Sequence, residues 1–275
     1  MTISTPTEAK TEEKYLKLLM DPLEKCAIYK PKLGTADKTG VTLAGFKTLY
    51  GGDPFYHWVG LDDDLMYAAH KAAGGMTSVY RQLGQGCERL FRAIVRDSLG
   101  LSEEEVSWKY EITKKDGSKG VLTLDARIDL DHIRDRPEEQ RKVREWVDRC
   151  AKFLGYSEAR SRELRGVVFE ARQGYKSADA KRQNADLQFA TNALSENYLP
   201  VLSVISTQTS ETVIRRYKNA KMLVITGNTS IDDTVSTYAF FRNAVGYPLD
   251  EFFRRNADKM RKRCRAVLEK LLTPA

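Results

Sequence analysis

The sequence predicts an α/β protein: a mixed central sheet flanked by helices, with a helical N-terminal part in front. Three observations carry that expectation. Between Gly166 and Gly227 the apolar runs GVVFEARQGY, LPVLSVIST and KMLVITG alternate with helical segments, as in sheets covered on both faces. Ahead of them, WKYEITKKDGSKGVLTLDARIDLDHI alternates on both sides of a DGSKG turn and reads as a hairpin. From Glu13 to Leu99 the text is mostly helical, broken by turn clusters at Lys32–Gly40, Gly51–Pro54 and Gly74–Gly75.

Each element then follows from local chemistry. Residues 1–12 are polar and read as loose. GQGCERLFRAIVRDSLG is a helix, with Leu90, Ile94 and Val95 on one stripe and Gly100 as its stop. Pro137 opens PEEQRKVREWVDRCAKFLGY, with acids in the first turn and Gly155 near the end. Further helices are expected over Ser177–Asn197, Glu211–Asn219 and Asp232–Val245, with Asp232 and Asp233 as caps. The last helix starts near Leu249. It carries RKRCR on one side and Met260, Val267, Leu268 and Leu271 on the other. The domain boundary is expected at 80/81: residues 1–80 helical, residues 81–275 α/β.

Composition narrows the function classes. Of 275 residues, 41% are hydrophobic, enough for a core. Forty-five Lys and Arg against 38 acids give +7, compatible with a polyanionic partner. Four dispersed cysteines and three histidines make a structural zinc site improbable and favour reduced thiols in a cytoplasm. No apolar run is long enough to span a membrane. A Gly-rich phosphate loop, a GxSxG elbow and a Cys/His pairing are absent, which disfavours small-molecule enzymes built on them.

The chemistry concentrates where GVVFEARQGYK runs an apolar strand into charge. Strand alternation places Glu170, Arg172, Gly174 and Lys176 on one face, and Phe169, Ala171 and Tyr175 on the other. Gly174 leaves the polar face open to close approach. Upstream, ARIDLDHI puts Arg127, Asp129 and Asp131 on one face. If the two strands pair, Asp129 and Lys176 meet at a sheet edge. There a carboxylate holds a hard divalent cation through oxygen and a lysine offsets transition-state charge, the needs of phosphodiester hydrolysis. A second acid is required. Asp186, in register with Ala190 and Ala193, leads Glu170 and Glu88 as its source, although Asp186 could equally pair with Arg182 one turn earlier. At the start of the next helix, Lys181 and Arg182 can donate to guanine O6 and N7, and Gln183 and Asn184 can pair with adenine. Arg215, Arg216 and Lys218 can contact phosphates.

In the order of these elements, roughly residues 80 to 230 resemble the PD-(D/E)XK nuclease superfamily, and within it the CCGG-cutting branch of type II restriction endonucleases. That branch lacks the usual acid two residues before the lysine, and an acid on the next helix replaces it. The resemblance implies Lys176 as the lysine, Gly174 at the missing acid and Asp186 as the replacement. It implies Asp129, 47 positions ahead of Lys176, as the leading aspartate, and Glu88 in GQGCERLF as the helix glutamate. Asp179, Lys181 and Arg182 stand where the branch reads guanine and cytosine, with Lys181 a departure where an acid is expected. The implied function is Mg2+-dependent cleavage of both strands of a short palindromic DNA site containing CCGG, leaving 5′-phosphates. A homodimer or larger homo-oligomer is implied, with a cognate methyltransferase in the same system but not as a physical partner. The alternative is a non-catalytic, sequence-specific DNA-binding protein using the same basic face.

Overall fold

The computed structural model describes residues 6–35, 39–113, 117–175 and 180–274. The elements, in chain order, begin with four helices: α1 (Pro6–Glu24), α2 (Leu43–Gly51), α3 (Pro54–Trp58) and the long α4 (Asp64–Leu99). After α5 (Glu103–Val106) come β1 (Trp108–Thr113), β2 (Lys119–Leu124) and β3 (Ala126–Asp129). Then follow α6 (Pro137–Phe153), α7 (Glu158–Glu163), β4 (Gly166–Arg172), α8 (Ala180–Ser195), β5 (Tyr198–Val204), α9 (Glu211–Asn219) and β6 (Leu223–Ile225). The last elements are α10 (Thr237–Phe240), a π-helical turn at Phe241–Val245, α11 (Leu249–Arg255) and α12 (Ala257–Leu272). The fold is mixed α/β, and no helix among the described residues is long and apolar enough to cross a membrane.

Two compact units divide the chain, residues 1–86 with 254–275, and residues 87–253. The expected boundary at 80/81 therefore moves, and the C-terminal helix joins the N-terminal unit. The cause is packing within that unit. α12 buries Val267 and Leu271, and a Cβ on Gly75 would press into the Leu271 side chain. Arg263 of α12 reaches both Asp21 and Glu24 of α1 at 2.6 Å, so part of the RKRCR run is a paired face.

In the second unit, β1 and β2 form their own antiparallel pair, while the larger sheet has the order β3-β4-β5-β6. β3 runs antiparallel to β4, with Ala126 opposite Phe169 and Asp129 opposite Gly166, and the remaining pairs are parallel. A Cβ on Gly166 would overlap the Ile128 carbonyl oxygen, so this close register needs glycine. Both faces of the sheet are covered. On one side Val168, Leu202 and Val204 pack with Trp108, Phe189, Ala193 and Tyr217. On the other, Phe169 sits among Phe91, Trp146 and Phe240, with ring centroids 5.0, 6.1 and 5.1 Å away. Complete burial on both sides is why these strands read as apolar runs rather than alternating ones.

Four expectations about elements need correction. α4 runs unbroken through Gly74–Gly75, where a turn is expected, and α1 already begins at Pro6, inside the stretch read as loose. The second arm of the hairpin is not one strand: it breaks at Asp125, and β3 leaves for the larger sheet. The Arg92 guanidinium takes the carbonyl oxygens of Asp125 and Leu124 at 2.6 and 3.3 Å, which ends β2 there. The helix expected from Asp232 starts only at Thr237, capped by Ser236. Asp233 instead pairs with Arg149 at 2.7 Å while its carbonyl takes the Trp146 indole N–H, so its role is to anchor the loop.

Candidate functional site

The C-terminal end of β4 is where the ionisable groups of the second unit converge. Glu170 and Arg172, two residues apart, share the face that carries Val168. Arg172 is buried. Its guanidinium donates to Asp186 of α8 through Nη1 at 3.0 Å and Nη2 at 2.5 Å, and Nη2 also donates to Glu170 Oε1 at 3.0 Å. Beside them, Asp125 Oδ2 accepts the Ala171 backbone N–H at 2.7 Å, which places that carboxyl against the residue between Glu170 and Arg172. Glu88, one turn ahead of Arg92 on α4, is the fourth acid, near enough to couple with Glu170 and Asp125.

These acids feel one another. Burial, then the charges of Glu170 and Glu88, push the Asp125 carboxyl up to about 8. Burial, then Glu170, also raises Glu88. Burial opposes the charge on Arg172, but Asp186 and Glu170 outweigh it and hold the guanidinium above its ordinary range. The site therefore contains one carboxyl, Asp125, that retains its proton toward neutral pH close to a fixed cation, as happens where burial and like charges oppose ionisation.

The expected residues are distributed differently from the sequence reading. Glu88 and Glu170 belong to this cluster. Asp129 does not. In an antiparallel pair the end of one strand meets the start of the other, so Asp129 lies opposite Gly166, roughly 20 Å of strand away from Arg172. Asp129 is fully buried. It accepts from the Tyr198 hydroxyl at 2.5 Å, the Arg165 guanidinium at 2.8 Å and the Asp131 N–H at 3.1 Å. Burial alone would raise its pKa; these donors outweigh that and hold it below the ordinary range. Its role is structural. Asp129→Ala is expected to cost about 1–3 kcal/mol in urea denaturation by stranding those donors. Because its folded pKa is lowered, the parent should lose the same increment as pH falls below the carboxylate range.

Asp186 is also corrected as a metal ligand. Its two oxygens accept four hydrogen bonds, two from Arg172 and one each from the Tyr175 and Tyr217 hydroxyls at 3.0 and 2.6 Å. Nor does it pair with Arg182, whose guanidinium lies 5.7 Å from the Tyr175 ring centroid. Tyr175 itself reaches Arg172's side of the sheet rather than the opposite one, because β4 ends at Arg172 and a bend at Gln173 breaks the alternation. The approach to Gly174 is internal: a Cβ there would stand 3.1 Å from Ser206 Oγ. Lys176 and Asp179 lie outside the described residues. At the start of α8, Lys181, Arg182 and Asn184 are exposed and Gln183 is partly buried. Of the expected phosphate contacts, Arg216 is engaged with Gln183 and Asn184, and Lys218 Nζ sits 4.0 Å from the Phe153 ring centroid.

Asp125 is the residue that sequence reasoning missed. The signal for it was available: if β3 and β4 are antiparallel, the acid just before β3, not the one at its end, lies by the end of β4. Asp125 and Glu170 each carry the carboxylate oxygens that a hard divalent cation takes, and the shift at Asp125, from burial and then from the charges of Glu170 and Glu88, is one a cation would oppose. Among the described residues no group of three His, Cys, Asp or Glu side chains converges closely enough to hold an ion alone. Two carboxylates with waters is the ordinary way Mg2+ is bound. No family model matches the chain, and comparison with curated proteins and with solved structures also gives no match.

Proposed function

We propose that this chain is an Mg2+-dependent, site-specific DNA endonuclease with a restriction-endonuclease-like core. It would hydrolyse both strands of a short palindrome containing CCGG and leave 5′-phosphates, working as a homodimer or larger homo-oligomer. The observation that carries the reading is the Asp125 carboxyl held against the backbone between Glu170 and Arg172 at the end of β4, near enough to Glu170 and Glu88 to feel their charges. The order of α4, β3, β4, α8 and β5, with an antiparallel pair followed by a parallel one, supports it. In this assignment Asp125 takes the place first expected for Asp129.

Asp125 and Glu170 would hold the ion, which when bound supplies charge stabilisation at the scissile phosphate and a water of lowered pKa. Arg172 fixes Glu170 by grasping a single oxygen, Oε1. Glu88, raised by burial and then by the charge of Glu170, would serve as a further proton acceptor on α4. Lys176 is proposed to orient the attacking water. The exposed start of α8 supplies base readout, and the surplus of basic residues supplies phosphate contacts.

Incubating the purified protein with plasmid DNA and Mg2+ tests the reading. Discrete, reproducible fragments with 5′-phosphate ends are expected. Specific binding with no cutting would make it a non-catalytic DNA-binding protein, and neither outcome would end the DNA reading. Lys176→Ala is expected to retain specific binding and lose cleavage by about a hundredfold or more, the usual size of a proton-transfer contribution. Wild-type cutting rates from this variant would remove the lysine from the mechanism.

A further inference from the structure

The start of α8 is held from the side by α9. Arg216 of α9 donates from Nη1 to Gln183 Oε1 at 2.5 Å and from Nη2 to Asn184 Oδ1 at 2.9 Å. A guanidinium has five donors and no acceptor, so only the oxygen end of each amide can face it. The amide group is planar, with its oxygen and NH2 diverging from one carbon. An amide whose oxygen is held by Arg216 therefore has its plane fixed and its NH2 directed to one side of that contact. Among the described residues, neither the Gln183 nor the Asn184 NH2 has a hydrogen-bond partner.

We propose that Arg216 is a positioning residue for base recognition: by holding both amide oxygens it fixes Gln183 and Asn184 with their NH2 donors unengaged, so that the start of α8 favours guanine over adenine in the major groove. The inference rests on the DNA-binding reading above and deepens it. Guanine offers two acceptors there, O6 and N7, whereas adenine offers N7 beside an N6 amino donor. A free Asn or Gln reads adenine by using its oxygen and its NH2 together. With one lone pair of the oxygen taken by Arg216 and the amide plane fixed, that paired contact is weakened and donation to guanine is favoured. Cytosine, which presents an amino donor, finds no acceptor. The sequence expectation that these two amides read adenine is thereby replaced.

The test uses Asp125→Asn protein, so that DNA is bound but not consumed, and selects from a duplex library with randomised bases. The parent should enrich a site with a fixed guanine. Adding Arg216→Ala frees the amides to rotate, and the guanine-over-adenine preference at that position should fall by about tenfold, the discrimination expected of one base contact. Adding Gln183→Glu keeps the Arg216 contact and strengthens it by charge, yet removes the donor. Guanine preference should fall and cytosine should be admitted, because a carboxylate accepts from its amino group. A merely structural fork predicts the opposite pattern: Arg216→Ala would weaken all sequences alike, and Gln183→Glu would leave the base ratios unchanged. Enrichment of the same site with the same ratios by all three proteins overturns this assignment while DNA binding stands. Failure of the parent to enrich any sequence overturns the DNA-binding reading and this inference with it.

Discussion

Asp125→Asn is expected to lower DNA cleavage by roughly 10³-fold, the scale of about 4 kcal/mol that removal of one well-placed electrostatic group costs a transition state. The substitution is nearly isosteric, and an amide oxygen still accepts the Ala171 N–H that Asp125 Oδ2 now takes at 2.7 Å. The fold should survive, and its pH response should change in a defined direction. An unfolded aspartate releases its proton near pH 4. Folded Asp125, partly buried and opposed by the charges of Glu170 and Glu88, retains it up to about 8. The folded state therefore binds the extra proton, and without a divalent cation this group makes the parent progressively less stable as pH rises through that window. Asp125→Asn lacks the titration, so the melting temperatures of variant and parent should diverge between about pH 4 and 8, with the variant higher at the alkaline end. Mg2+ should raise the melting temperature of the parent at pH 8 and that of the variant much less. A variant that cuts at the parental rate would remove Asp125 from the chemistry.

Asp186→Ala should act on stability, at about 3–5 kcal/mol, the cost of removing one partner from a buried ion pair. Arg172 would keep Glu170 but lose its two-pronged contact with Asp186, and the hydroxyls of Tyr175 and Tyr217 would lose their shared acceptor. The expected readout is a large drop in the urea midpoint at an unchanged slope. A ligand serving only to bind a cation would give the contrary result, a stable protein that no longer cleaves. The comparison of the two variants thus separates the residue that holds the ion from the residue that holds α8 against β4.

The legible part of this fold was what depends on local pattern. Buried strands announced themselves as apolar runs because both faces of the sheet are covered, and Glu88 and Glu170 were recognisable as acids on a helix and at a strand end. The illegible part depended on direction and on where a strand stops. Asp125 and Asp129 stand four residues apart in LTLDARID, and only the antiparallel sense of the β3–β4 pair decides which of them meets the end of β4. The break at Asp125 is made by Arg92, 33 positions away in the chain, and no local rule announces it. Asp186 was correctly expected to face inward, but its partners Tyr175 and Tyr217 come from a bend after β4 and from α9, so its saturation could not be foreseen. The two units divide the chain as they do because α1 and α12, at opposite ends of the sequence, bury their faces together.

The glycine at 166 sits at the far end of β4 from every acid proposed to act. With hydrogen in place of a methyl group, the two backbones close to their full extent, and the spacing set there is transmitted along a short, stiff ribbon to Asp125. An alanine there would press on the Ile128 carbonyl oxygen and is expected to shift β3 along or away from β4, and Asp125, the residue just before β3, with it.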